Sequence, residues 1–142
     1  MVKEFNSLEE IQKYYDKDKG IYEFMENGCY IAVVKFNFDL EVSANIVACN
    51  IIACKIKAHD IYTNEIIADE IIANDIHAHN INAINIKADD ISYYAVCFAY
   101  NSIKCKSIEG RRKNAKHFVL DGVLEVEEDD YKRIRRRNRI YS

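Results

Sequence analysis

Residues 46–90 read IVACN, IIACK, IKAHD, IYTNE, IIADE, IIAND, IHAHN, INAIN and IKADD, so an isoleucine opens every group of five and, except at Thr63, an alanine follows two places later. The groups ISYYA and VCFAY at residues 91–100 continue the pattern in weaker form. A period of five fits neither a continuous helix nor an uninterrupted strand, so the chain has to turn once per group. Ile and Ala two places apart share a face of an extended segment, and the polar residues at the fourth and fifth places suit a corner. So many β-branched residues, Asn and Asp in a row also make a poor helix. The stretch predicts an all-β coil with an inward ladder of Ile46, Ile51, Ile56, Ile61, Ile66, Ile71, Ile76, Ile81, Ile86, Ile91 and then Val96.

At this point the chain resembles the pentapeptide-repeat proteins. It departs from the usual motif of that family in placing the large Ile two residues before the small Ala rather than after it. The resemblance implies a right-handed quadrilateral β-helix with four five-residue sides per coil, so that residues twenty apart stack on one another. It also implies the functions known in the family, among them acidic, duplex-DNA-like dimers that engage DNA topoisomerases.

The chain has 142 residues, a net charge of −3 and no proline. Its opening residues lack a basic-then-apolar leader, and no run approaches the eighteen apolar residues of a membrane span, so a soluble, cytoplasmic protein without membrane contact is expected. Five cysteines without disulfide-framework spacing favour reduced thiols. Lys132, Arg133, Arg135, Arg136, Arg137 and Arg139 all fall in the last twelve residues, so the body before them carries −3 − 6 = −9.

Four regions follow. Residues 1–43 predict an N-terminal cap: Ser7-Leu-Glu-Glu10 has capping-box spacing, Leu8, Ile11 and Tyr15 could line one side of a short helix, and Glu26-Asn27-Gly28 marks a turn between strands. Residues 44–100 are the β-helix. Residues 101–126 predict a degraded last coil and a C-terminal cap, and residues 127–142 a charged tail.

With residues twenty apart stacked, as the resemblance implies, the outward columns become Val47–Ile67–Lys87, Ile52–Ile72–Ser92, Lys57–His77–Cys97 and Tyr62–Asn82. Val47, Ile52, Ile67 and Ile72 then form two adjacent apolar outer sides with Tyr62 round the corner, and Asp69 over Asp89 and Glu70 over Asp90 form an acidic rim. An exposed apolar patch with a polar edge has the layout of an interface. His59 and His79 would share a corner with His77 close by, but such corners tolerate His as they tolerate Asn, so no metal is expected. Cys49 and Cys54 read as small inert side chains. No acid–base pair, oriented nucleophile or Gly-rich phosphate loop stands apart from the repeat, so neither catalysis, a cofactor nor a small-molecule substrate is expected.

These readings converge on a non-enzymatic scaffold that binds a protein partner or its own copy as a homodimer. A second reading is a nucleic-acid-associated protein using the basic tail. A third is an acidic DNA mimic that binds a topoisomerase.

Overall fold

Ile61 pairs in parallel with Ile46 on one side and Ile76 on the other, a step of 61 − 46 = 15 residues. Ile66 likewise lies between Ile51 and Ile81, and Ile71 between Ile56 and Ile86. A coil therefore comprises three five-residue sides, not the four that the family resemblance implies. A five-residue period leaves that number open, because steps of fifteen and twenty both set Ile upon Ile. In the computed structural model of the chain, residues 2–127 are described, and they form a stacked parallel β-solenoid of about five turns.

The strands of the regular coils are β8 (Asn45–Val47), β9 (Asn50–Lys57), β10 (Asp60–Tyr62), β11 (Glu65–Ile72), β12 (Asp75–Lys87) and β13 (Asp90–Cys105), counted after seven N-terminal strands given below. β9 and β11 each run through one corner, and β12 runs through all three sides, so the corners are bends in extended chain rather than breaks. Every Ile of the ladder from Ile46 to Ile91 is buried, and so are the alanines beside it except half-buried Ala53. Three Ile per coil face one another across a narrow section, and the small Ala lets neighbouring sides close on it.

A further coil lies beneath the first repeat, where the five-residue pattern does not mark it. Tyr22 of β3 (Ile21–Glu23) sits under Ile46, Val34 of β6 (Val33–Phe36) under Ile51, and Leu40 of β7 (Leu40–Glu41) under Ile56. The N-terminal end is closed by β1 (Val2–Phe5), which pairs with β6, and by a 3-10 helix, Leu8–Tyr14, followed by β2 (Tyr15–Asp16). Between β3 and β6, β4 (Met25–Glu26) and β5 (Cys29–Tyr30) form a hairpin across Asn27 and Gly28, both left-handed at φ 53° and 79°.

The helix departs from expectation in its face. Ile11 and Tyr14, three apart and so eclipsed in a 3-10 turn, are buried, whereas Tyr15 is exposed beyond the helix and Leu8 is exposed at its first position. The capping box does not form: Ser7 makes no side-chain cap, and Glu10 Oε1 accepts from the backbone N–H of Asn6, one residue before the cap, at 2.9 Å. Phe5, Tyr14, Phe24 and Phe36 stack under the first coil with ring centroids 5.2–6.0 Å apart, so the helix seals the end and leaves the flanks of the solenoid bare.

At the other end the coil lengthens. Ile91 pairs with Ile108 of β14 (Ser107–Gly110), a step of 108 − 91 = 17 residues, because β13 gains one residue at each of two corners. The slip removes Val96 from the ladder: it registers with Asn80 at a corner, and Cys97 takes the inward place above Ile81. β15 (Lys116–Val119) and β16 (Val123–Val126) complete the last coil over β13.

Candidate interaction surface

The fifteen-residue register redistributes the residues expected to form one apolar patch. Ile52 pairs with Ile67 on the second side, and Asn82 follows above them. Val47 pairs with Tyr62 on the first side, and His77 follows, its ring 6.0 Å from that of Tyr62. Ile72 lies on the third side between Lys57 and Lys87. The columns Val47–Ile67 and Ile52–Ile72 therefore do not exist, and the five residues occupy three faces. Ile67 is 49% exposed and Tyr62 41%, whereas Val47, Ile52 and Ile72 are half-buried.

The acidic rim is also rearranged. Glu70 lies between Lys55 and Asn85, not against Asp90. Asp69 sits beside Cys54, whose Sγ lies 3.5 Å from Asp69 Oδ2, and this carboxylate raises the thiol's pKa. The like charges that do stack are Asp60, Asp75 and Asp90 on successive coils. Along this column Asn45 Oδ1 accepts from the Asp60 N–H at 3.1 Å, and Asp60 Oδ1 accepts from the Asp75 N–H at 3.2 Å. Ser107 Oγ donates to Asp90 Oδ1 at 2.6 Å. Partial burial, then the charges of Asp60 and Asp90, hold the Asp75 carboxyl above its ordinary pKa.

The histidines separate. His59 Nδ1 lies 3.3 Å from its neighbour Asp60, while the His79 ring packs edge-on against Tyr94 at 5.4 Å. His77 Nε2 lies 3.0 Å from the Arg111 guanidinium, which also donates to Ser92 Oγ and the Ala78 carbonyl. Burial and that cation lower the pKa of His77. Cys97, placed near His77 on the twenty-residue register, is fully buried, and desolvation raises its thiol far above the usual range. Among the described residues, no group of three His, Cys, Asp or Glu is disposed to hold a metal ion.

The larger exposed surface lies higher on the solenoid. β13 turns Tyr94, 45% exposed, and Tyr100, 49% exposed, outward at successive corners with half-buried Phe98 between them. Phe118 stands over Phe98 with ring centroids 4.9 Å apart. The loop between β14 and β15 carries Arg111, Arg112 and Lys113. It is anchored by Arg111 and Arg112 backbone N–H groups donating to the Tyr93 and Tyr94 carbonyls at 2.8 and 3.0 Å. Arg112 lies over the Tyr94 ring at 5.9 Å.

Reading the repeat alone missed this surface because it falls where the repeat decays. A signal was nonetheless present, since residues 91–108 hold four aromatic side chains and no acid. Lys132, Arg133, Arg135, Arg136, Arg137 and Arg139 of the tail lie outside the described residues. Among the described residues no helix is long and apolar enough to cross a membrane. The chain matches no protein-family model, no curated protein and no solved structure, so what it is similar to rests on its architecture, which is compatible with a repeat β-helix family.

Proposed function

We propose that this protein is a non-enzymatic scaffold whose β-solenoid presents a rigid face to a protein partner or to a second copy of itself. One observation carries the reading: Ile67 is half exposed above Ile52 in the middle of a continuous parallel sheet, with Ile84, 42% exposed, at the next corner. The N-terminal helix caps the end of the stack and does not reach these side chains. A large aliphatic residue held on such a rigid face costs little entropy to bury against a partner. The polar side chains of the coils support a structural role, since Asn45, Asp60 and Thr63 spend their oxygens and hydroxyl on the backbone of adjacent coils.

The five-residue Ile–x–Ala period supports kinship with pentapeptide repeats, while the three-sided coil sets this chain apart from the four-sided members. The DNA-mimic reading is weakened by the surface, because the stacked aspartates occupy one corner column while residues 91–120 carry six cations and one acid. A cytoplasmic setting is in keeping with the free cysteines.

The test compares wild type with Ile67→Asp by sedimentation and by capture from the native host. Self-association, or a captured partner, that is lost in a folded Ile67→Asp variant supports the reading. A wild type that is monomeric at high micromolar concentration and captures the same proteins as the variant contradicts it.

A further inference from the structure

We propose that the last two coils form a binding surface for single-stranded nucleic acid, built from Tyr94, Phe98, Tyr100 and Phe118 together with Arg112 and Lys116. Each coil advances the chain along the solenoid axis, so a charge gradient in the sequence becomes one in space. Residues 2–85 carry 7 − 14 = −7, while residues 91–127, the described part of the last two coils, carry 6 − 4 = +2. Of the six cations in residues 91–120, Lys106 alone forms an ion pair among the described residues, with Asp89 at 3.8 Å. Lys104, Arg111, Arg112, Lys113 and Lys116 have no carboxylate within salt-bridge distance there. Glu125 registers opposite Lys104 on the third side, so the cations that gather beside the rings are Arg112 and Lys116, and such cations are complementary to a polyanion.

The rings narrow the class of polyanion. Along β13, side chains alternate in and out, so Tyr94, Phe98 and Tyr100 appear on one outer strip while Cys97 and Ala99 point into the core. On the coil above, Lys116 and Phe118 face outward beside the buried His117 and Val119. Lys116 stands over Val96, between Tyr94 and Phe98, and Arg112 is already seated against Tyr94. Unpaired bases stack on aromatic faces while their phosphates meet nearby cations, and that combination is sequence-tolerant. A duplex hides its base faces, and an acidic polypeptide has none to offer. Asn82 separates this strip from Ile52 and Ile67, so the two surfaces can be tested independently.

The experiment measures fluorescence anisotropy of a labelled oligothymidylate of about 16 nucleotides, a length within the usual site size, against the full chain at low salt. Tyr94→Ala/Tyr100→Ala removes two exposed rings and is expected to weaken binding about 5- to 150-fold per ring. Tyr94→Phe/Tyr100→Phe is expected to restore it. Arg112→Gln/Lys116→Gln is expected to reduce the slope of log affinity against log salt by about 1.4, that is 0.7 per lost phosphate contact. Circular dichroism confirms that each variant keeps its strands. The proposal is overturned by no binding at low salt, or by Ala variants that bind as wild type. Equal competition by polyglutamate of the same charge also overturns it, as does binding abolished by Arg135→Gln/Arg136→Gln/Arg137→Gln alone, which assigns the affinity to the tail.

Discussion

The phenol oxygen of Tyr93 lies 2.6 Å from Nδ1 of His117, and both side chains are buried inside the last two coils. Tyr93 stands where the coil below has Ala78, and His117 stands in the ladder above Cys97. The small Cys97 in an isoleucine place makes room for the tyrosine ring, and the hydrogen bond satisfies two polar groups that a repeat of Ile and Ala would not contain. Tyr93→Phe should lower stability by about 1–3 kcal/mol, a shift of several degrees in Tm. In a double-mutant cycle Tyr93→Phe/His117→Leu should lose less than the sum of the single variants, because both ends of the bond are removed together.

Gly110 lies directly above Tyr93, and a Cβ built there would come within 2.3 Å of Ala115 Cβ and 2.8 Å of the Tyr93 hydroxyl oxygen. Gly110→Ala should therefore destabilise the protein by more than about 1 kcal/mol through overpacking. Thermal melting beside Gly20→Ala, at a left-handed but open site, separates steric crowding from backbone strain. Strain alone should affect the latter.

Adjacent isoleucines should behave oppositely. Ile66 is fully buried and Ile67 half exposed. Ile66→Ala should cost about 2–5 kcal/mol by leaving a cavity, and Ile67→Ala should stay within about 0.5 kcal/mol of wild type. Equal losses in denaturant titrations would contradict the inward assignment.

Much of this was legible in the sequence. The inward Ile and Ala, the sheet class and the Asn27-Gly28 hairpin follow from spacing and turn chemistry alone. The number of sides does not follow, because Ile recurs at every multiple of five. A subtler mark was available in Asn45, Asp60, Asp75 and Asp90, which recur at fifteen, the first two each accepting from the backbone N–H of the next. The coil formed by Tyr22, Val34 and Leu40 was hidden because it carries the core without the repeat and is interrupted by a hairpin. The candidate surface was misplaced because each outward neighbour depends on the number of sides per coil.

The aspartate column gives the pH dependence. The folded state holds Asp75 above its ordinary value of 3.8, so it binds the proton more tightly than the unfolded chain. Stability from this site is full below that value and is lost as pH rises through the raised pKa. Asp75→Asn should thus stabilise at neutral pH, by about 0.2–1 kcal/mol for relief of stacked like charges. The gain should vanish near about pH 3, where the carboxyl is protonated in both states. A gain that persists unchanged there would contradict the electrostatic cause.

The fifteen-residue coil underlies every surface assignment, and paired cysteines test it directly. In a background of Cys29→Ser/Cys49→Ser/Cys54→Ser, Ile67→Cys/Asn82→Cys places thiols fifteen residues apart on registered strands. Such strands lie about 4.8 Å apart, within the Cα separation a disulfide spans. Ile67→Cys/Lys87→Cys places them twenty apart, on different sides of the coil. Mild oxidation should close an intramolecular disulfide in the first protein and leave the second reduced, as read by mass spectrometry of the folded monomers. Closure in the second and not the first would show a four-sided coil and contradict the account.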